Sequence, residues 1–238
     1  MGASTLRLLY EDEWILAVDK PAGVIVHGDG TGKATLTGHV RDLFVSRDED
    51  ASELQPLQRL DRETTGIVLF SKRKETQAAF DALIADRRIA KRYLAIVCGR
   101  FPQTPQTFRG SIGRDRHDSR RMRVSRTGKP ALTRAHLLAF TPADAAGPAR
   151  SLLSVDLLTG RKHQIRVHLS HAGFPILGDA LYGGPRAAAG LMLHAAEERF
   201  EHPVTGERVS IHAPYPERFI PLFPRNRSNP TKSPKRPL

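Results

Sequence analysis

Arg59-Leu60-Asp61-Arg62-Glu63-Thr64-Thr65-Gly66, running directly into Ile67-Val68-Leu69-Phe70, decides how the rest of this 238-residue chain is read. Four apolar residues in succession predict a buried strand. One carboxylate stands between two arginines just before it, an arrangement that favours the ionised acid and aims it from a rigid element. A nucleophile or base is presented in this way, although a turn with a surface ion pair has the same pattern.

Two further stretches narrow the choice. In Leu153-Ser154-Val155-Asp156-Leu157 apolar and polar residues alternate, which predicts a half-buried strand. After Thr159-Gly160 the period changes. Ile165, Leu169 and Ala172 fall at helical spacing, Gly173 suits a left-handed terminus and Pro175 bars continuation, so the spacing predicts a short helix from about Lys162 to Ala172. Its start carries Arg161, Lys162, His163 and Arg166, so free backbone donors and positive side chains make an anion-binding corner. The third stretch, Lys91-Arg92-Tyr93-Leu94-Ala95-Ile96-Val97-Cys98-Gly99, reads as a strand with a basic entry. Taken alone, Tyr93 reads as a core aromatic with its hydroxyl satisfied.

Together these motifs resemble one family, the RluA-type RNA pseudouridine synthases. The resemblance runs from Leu9-Tyr10-Glu11-Asp12 and Asp19-Lys20-Pro21-Ala22-Gly23, through Arg-Leu-Asp, Lys-Arg-Tyr and the Gly-Arg-Lys-His-Gln-Ile-Arg helix, to Leu193-His194-Ala195. Separated motifs in the right order are far more specific than any one of them. The resemblance implies an isomerase that converts uridine in RNA, ribosomal or transfer, to pseudouridine without metal, nucleotide or redox cofactor. It implies a pseudouridine synthase catalytic fold and makes Asp61 the catalytic carboxylate. That residue either attacks the substrate covalently or abstracts a ribose proton. Arg166 is implied as its buried basic partner, Tyr93 as the aromatic that stacks on uracil and helps remove the carbon 5 proton, and Leu193 as an apolar pocket wall.

The reaction breaks the bond from ribose to the ring nitrogen, turns the uracil in place and joins ribose to carbon 5. Nothing is gained or lost, so the protein supplies access, a nucleophile or base, and a proton transfer. Access requires base flipping, at a cost of a few kcal/mol. Arg59 and Arg62 are the residues expected to help offset it, with Arg161, Lys162, His163 and Gln164 as further RNA contacts. His163 is read as a positioning residue rather than a proton shuttle. One departure stands out: the family usually has histidine just before Arg-Leu-Asp, and this chain has Gln58. An amide donates and accepts hydrogen bonds but does not change charge near neutral pH.

Lys and Arg total 37 against 25 Asp and Glu, which suits a polyanionic partner. Eight basic and two acidic residues lie between Phe101 and Pro130, and five basic and no acidic ones between Arg225 and Leu238. The expected organisation is a catalytic domain over 1–224 and a basic, disordered tail over 225–238. No appended amino-terminal RNA-binding domain is recognised, so RNA contact is expected from the catalytic domain and its basic segments. A monomer without an obligate protein partner is expected. With one cysteine, no apolar signal core and no membrane-length run, a cytoplasmic location away from membranes is expected.

Strands are predicted at Ile15 to Val18, Val24 to His27, Ala131 to Phe140 and Arg208 to His212, the last in a hairpin turning near Thr205-Gly206. Helix faces appear at Leu36, Val40, Leu43 and Phe44 and at Phe80, Leu83 and Ile84. This mixed order gives an α+β domain with a mixed, largely antiparallel central sheet flanked by helices. Gly28-Asp29-Gly30-Thr31-Gly32-Lys33 fails as a phosphate loop, since its glycine spacing is one short and Ala34 replaces the magnesium-binding hydroxyl. His163, His168 and His171 fail as a metal site, because the first two point roughly 140° apart on a helix and lack an acidic ligand. Asp156 and Asp179 are read locally, as a polar strand face and a turn. A non-catalytic RNA-binding protein on the same fold is the principal alternative, with the same charge but no need for Asp61.

Overall fold

The computed structural model describes residues 6–28, 34–143 and 147–223. The tail 225–238 and most of the Gly28 to Lys33 loop therefore lie outside the described residues. In chain order the elements are β1 (Arg7–Glu11), β2 (Ile15–Lys20), α1 (Leu36–Ser46), β3 (Gln55–Pro56), β4 (Thr65–Ser71), α2 (Lys74–Ala85), β5 (Ala90–Cys98), β6 (Gln106–Arg109), β7 (Ile112–Arg114), β8 (Met122–Val124), β9 (Leu132–Thr141), β10 (Arg150–Leu157), α3 (Gln164–His171), β11 (Leu193–Glu201) and β12 (Arg208–His212). Short 3-10 turns occupy Ala180–Tyr182 and Glu217–Phe219.

Ten strands form one sheet in the order β1-β2-β4-β11-β5-β10-β9-β6, with β12 joined to β11 and β3 to β4; β7 and β8 pair separately. Among the described residues, all pairings between these strands are antiparallel except β4 with β11. The expected α+β class, with its mixed and largely antiparallel sheet, is what is observed.

The apolar run of β4 is continuous because helices cover both faces of the sheet there. Ile67 and Leu69 join Ile15 and Ala17 of β2 against Phe80 and Leu83 of α2. Val68 and Phe70 join Leu16 and Val18 against Leu36, Val40 and Phe44 of α1. Helix α1 starts at Thr35, whose hydroxyl accepts from the Gly38 amide at 3.0 Å. The strand expected at Val24 to His27 is not one. The Lys20 ammonium donates to the Pro21 and Val24 carbonyls, curling that segment, and only Ile25 makes an isolated bridge, to Thr35. Alternation over Leu153 to Leu157 understates burial, since β10 lies between β5 and β9 and is covered over most of its length.

The parallel contact brings the separated motifs together. Thr65 and Gly66 of β4 lie opposite His194 and Ala195 of β11, and on the other side of β11 Ala195 faces Tyr93 of β5. Gly66 has φ +107, and a Cβ there would lie 2.1 Å from the Ala195 carbonyl oxygen. Both the dihedral and the close approach demand glycine. Gly66→Ala is expected to cost at least about 2 kcal/mol. Urea denaturation checks this, and an unchanged midpoint would contradict the strand contact.

Candidate active site

Asp61 sits in the turn that enters β4, closed by a bond from the Thr64 amide to the Asp61 carbonyl at 3.1 Å. Lys20 holds this turn from behind. Its side chain is fully buried, and the ammonium donates to the carbonyls of Pro21 at 2.9 Å, Val24 at 2.7 Å and Arg62 at 2.8 Å. Burial pushes its pKa down to about 8, against the pull of Glu63 and Asp61. Gly23 and Arg62 add a reciprocal pair, the Gly23 amide donating to the Arg62 carbonyl and Arg62 Nε to the Gly23 carbonyl. The Asp-Lys-Pro-Ala-Gly segment thus braces the Asp61 loop.

The carboxylate's partner comes from α3. Arg166 Nη1 donates to Asp61 Oδ2 at 3.1 Å, while Nε and Nη2 donate to Asp179 Oδ2 and Oδ1, both at 2.8 Å. The Arg166 guanidinium also lies 5.0 Å from the centre of the Tyr182 ring. Burial pushes the guanidinium pKa down, but Asp179 and Asp61 more than offset this, so it is raised overall. Asp179 is itself 2% exposed, so Arg166 is locked by the fork-to-fork geometry that fixes a guanidinium in place. One free nitrogen is left for Asp61.

His163 Nδ1 shares a hydrogen bond with the Tyr182 hydroxyl at 2.7 Å, and its Nε2 lies 3.8 Å from Asp61 Oδ1. Burial lowers its pKa, outweighing the Asp61 carboxylate, and so favours the neutral ring. Its backbone is left-handed, with φ 56, immediately before α3. The Tyr182 hydroxyl also accepts from the Met122 amide of β8 at 2.8 Å. His163 is therefore tied through Tyr182 to the small β7–β8 sheet.

A cavity of about 810 Å³ opens over this group, lined by residues that include Asp61, Tyr93, Arg59, Arg114, His163 and Leu193. Tyr93 is 6% exposed, and its phenol pKa is raised by burial first and then by the Glu198 and Asp61 carboxylates.

Of the ten residues singled out in the sequence, Asp61, Tyr93, Arg166, Leu193, Arg59, Arg161, Lys162, His163 and Gln164 all border this cavity. Arg62 does not; it is exposed and turned to Gly23 and Glu63. The two arginines flanking Asp61 are thus not its partners, because consecutive residues of a turn diverge. Gln164 is a second correction. It is 2% exposed, its Oε1 accepts from Thr159 and the Arg161 amide, and its Nε2 donates to the Leu132 carbonyl and Thr133, so no polar atom is left for RNA. The anion-binding corner divides likewise. Arg161 spends its amide on Gln164 and its Nε on the Pro130 carbonyl, and Arg166 turns inward, leaving Lys162 exposed.

Asp179 stands at the start of the 3-10 turn without a side-chain capping bond, and its carboxylate is instead the main anchor of Arg166. Tyr182 and Lys20 carried no expected role beyond their motifs. Asp156, read as a polar strand face, pairs with Arg92 at 3.0 Å. Among the described residues there is no group of three or more His, Cys, Asp or Glu able to hold a metal ion, and no helix long and apolar enough to cross a membrane.

The sheet, the helix behind it and the cavity define a class, and sequence comparison agrees. The chain belongs to the RNA pseudouridylate synthase family, whose sequence model matches residues 14–171. It is an isomerase of that family, an RNA pseudouridine synthase. Particular relatives include the uncharacterized RNA pseudouridine synthase YhcT of Bacillus subtilis, 33% identical over 89% of this chain and 69% of that protein. Another is the ribosomal large subunit pseudouridine synthase D of Pseudomonas aeruginosa, 35% identical over 92% of this chain and 71% of its own length. Among solved structures, human RNA pseudouridylate synthase domain containing 1 superposes with a TM-score of 0.76 at 28% identity, over 91% of this chain and 86% of that one.

Proposed function

We propose that the protein isomerises a specific uridine in structured RNA, with ribosomal RNA the favoured class, using Asp61 as the reacting carboxylate on a flipped nucleotide. The observation that carries this reading is the Asp61 carboxylate at the cavity, hydrogen-bonded by a guanidinium that Asp179 holds rigid. A preoriented ion pair in a partly dry site needs little rearrangement as charge develops. The relatives named as ribosomal large subunit synthases support the choice of RNA.

In this reading the flipped uracil enters between Tyr93 and Leu193, and Asp61 either attacks the sugar or ring or removes a ribose proton. After glycosidic cleavage and rotation, carbon 5 joins the ribose and its proton is transferred to the freed nitrogen. Arg59, Lys162 and Arg114 border the opening and supply phosphate contacts. Incubating the protein with ribosomal and transfer RNA lacking pseudouridine, then mapping the product, tests the assignment. Modification confined to transfer RNA would overturn the ribosomal choice.

Tyr93→Phe separates stacking from proton removal, since it keeps the ring and deletes the hydroxyl. RNA binding is expected to persist while a step after glycosidic cleavage slows. Because burial raises the phenol pKa, the hydroxyl is protonated in the resting site, and any part it takes in removing the carbon 5 proton is through its oxygen as acceptor. Unchanged single-turnover kinetics would remove the hydroxyl from the mechanism.

A further inference from the structure

A second carboxyl lies behind the cavity wall, and the reaction as described does not use it. Glu198 of β11 is 1% exposed. It sits opposite Lys91 of β5 and so shares the sheet face from which Lys91 and Tyr93 border the cavity. Gln58, three residues ahead of Asp61 on the same loop, donates from Nε2 to Glu198 Oε1 at 2.6 Å. The two remaining polar atoms of these side chains, Gln58 Oε1 and Glu198 Oε2, are both buried and without a partner.

Both are acceptors as long as Glu198 is ionised, and two buried acceptors cannot satisfy each other. A single proton on Glu198 Oε2 resolves both. A carboxylic acid and a primary amide are complementary, each offering one donor and one acceptor side by side. We propose that Glu198 carries this proton and forms a cyclic acid–amide pair with Gln58, which makes Glu198 a positioning residue for the Asp61 loop. The inference rests on the reading of Asp61 as the reacting carboxylate. It also gives a role to Gln58, the position at which the chain departs from its family pattern, since a neutral imidazole does not offer a donor and an acceptor side by side.

The surroundings pull both ways, and burial outweighs the Lys91 ammonium beside the carboxyl. From β5, Lys91 Nζ is 4.0 Å from Glu198 Oε1 and Tyr93 faces the same region, while β12 places the uncharged Ile211 opposite Glu198. Burial pushes the Glu198 carboxyl up, ahead of the opposing influence of Lys91 and Gln58. Two consequences follow for the site. The loop that carries Asp61 is tied at Gln58 to β11, the strand that also supplies Leu193. A neutral Glu198 also leaves the Lys91 charge uncancelled beside a cavity that receives a phosphodiester, and adds no second anion near Asp61.

The test uses Glu198→Gln, Glu198→Met and the exchanged pair Gln58→Glu with Glu198→Gln, in the full chain. An infrared difference spectrum of parent minus Glu198→Gln at neutral pH is expected to contain the carbonyl stretch of a protonated carboxyl. Glu198→Gln retains the two-bond pairing as an amide–amide pair, so its single-turnover rate on RNA is expected within about threefold of the parent. Glu198→Met leaves Gln58 unpaired, and kcat is expected to fall roughly tenfold with little change in KM, as a positioning role requires. The exchanged pair restores the acid–amide match and the rate.

Stability gives a readout independent of catalysis. A carboxyl raised in the folded state stabilises fully below its ordinary value of 4.5 and progressively loses that contribution as pH rises through the folded pKa. Glu198→Gln is expected to abolish that part of the decline. Absence of the infrared band, or Glu198→Gln as damaging as Glu198→Met, would show an ionised partner of Lys91 and overturn the proposal. Failure of Glu198→Met to fold leaves the band and the exchanged pair to decide. An active Asp61→Asn protein that keeps the band would instead count against the Asp61 reading alone.

Discussion

Replacing Asp61 by Asn is expected to abolish isomerisation, lowering single-turnover conversion on the order of a thousandfold or more while RNA affinity stays within a few-fold. The amide has the carboxylate's shape and loses its charge and nucleophilicity. The fold has little reason to change. Arg166 keeps both bonds to Asp179, and the turn is held by backbone and Lys20 contacts that involve no side-chain atom of Asp61. Melting close to the parent and unimpaired RNA binding, with conversion lost, is the pattern that assigns Asp61 to chemistry. A variant that converts RNA at a tenth of the parental rate would remove it from that role.

Arg166→Met is expected to lose activity and stability together. Its guanidinium is shared by two carboxylates, one of them in a nearly sealed environment, and methionine fills the stem while removing all three charged hydrogen bonds. Removing one partner of a buried pair leaves the other charge uncompensated, at a cost of about 3–5 kcal/mol. Asp179 bears most of that cost because Asp61 is more open to the cavity. Chemical denaturation and turnover measured on the same preparation check both halves. An inactive variant as stable as the parent would mean that Arg166 serves RNA contact instead of the carboxylates.

The pattern of the chain disclosed those parts of the fold that depend on local order. Ile67 to Phe70 read as buried because helices cover both of their faces, and the period change after Gly160 located α3 to within two residues at its start. Val24 to His27 misled because its apolar content is captured by a side chain, Lys20, whose ammonium collects carbonyls and bends the chain. The parallel contact of β4 with β11 joins residues far apart in sequence, and no spacing announces it. It is nevertheless what brings Leu193 and Tyr93 beside the Asp61 loop.

The site was legible to the same extent. Asp61, Tyr93, Arg166 and Leu193, far apart in sequence, border one cavity. Asp179 escaped because its partner lies on a different element and a turn already accounts for it. Gln164 was misassigned because a polar residue in a basic stretch looks available, whereas burial commits its amide to four protein partners. Glu198 follows Glu197 in a strand, and only the strand pairing reveals that one acid faces Gln58 while the other meets Arg92.

The most direct test of the central claim is tritium release from RNA labelled at carbon 5 of uridine, under single-turnover conditions, with the parent and Asp61→Asn compared at saturating protein. The parent is expected to release tritium in proportion to the pseudouridine formed, and Asp61→Asn to bind the same RNA without releasing it. Release by Asp61→Asn approaching that of the parent would contradict the account, as would a parent that binds ribosomal and transfer RNA tightly and releases tritium from neither.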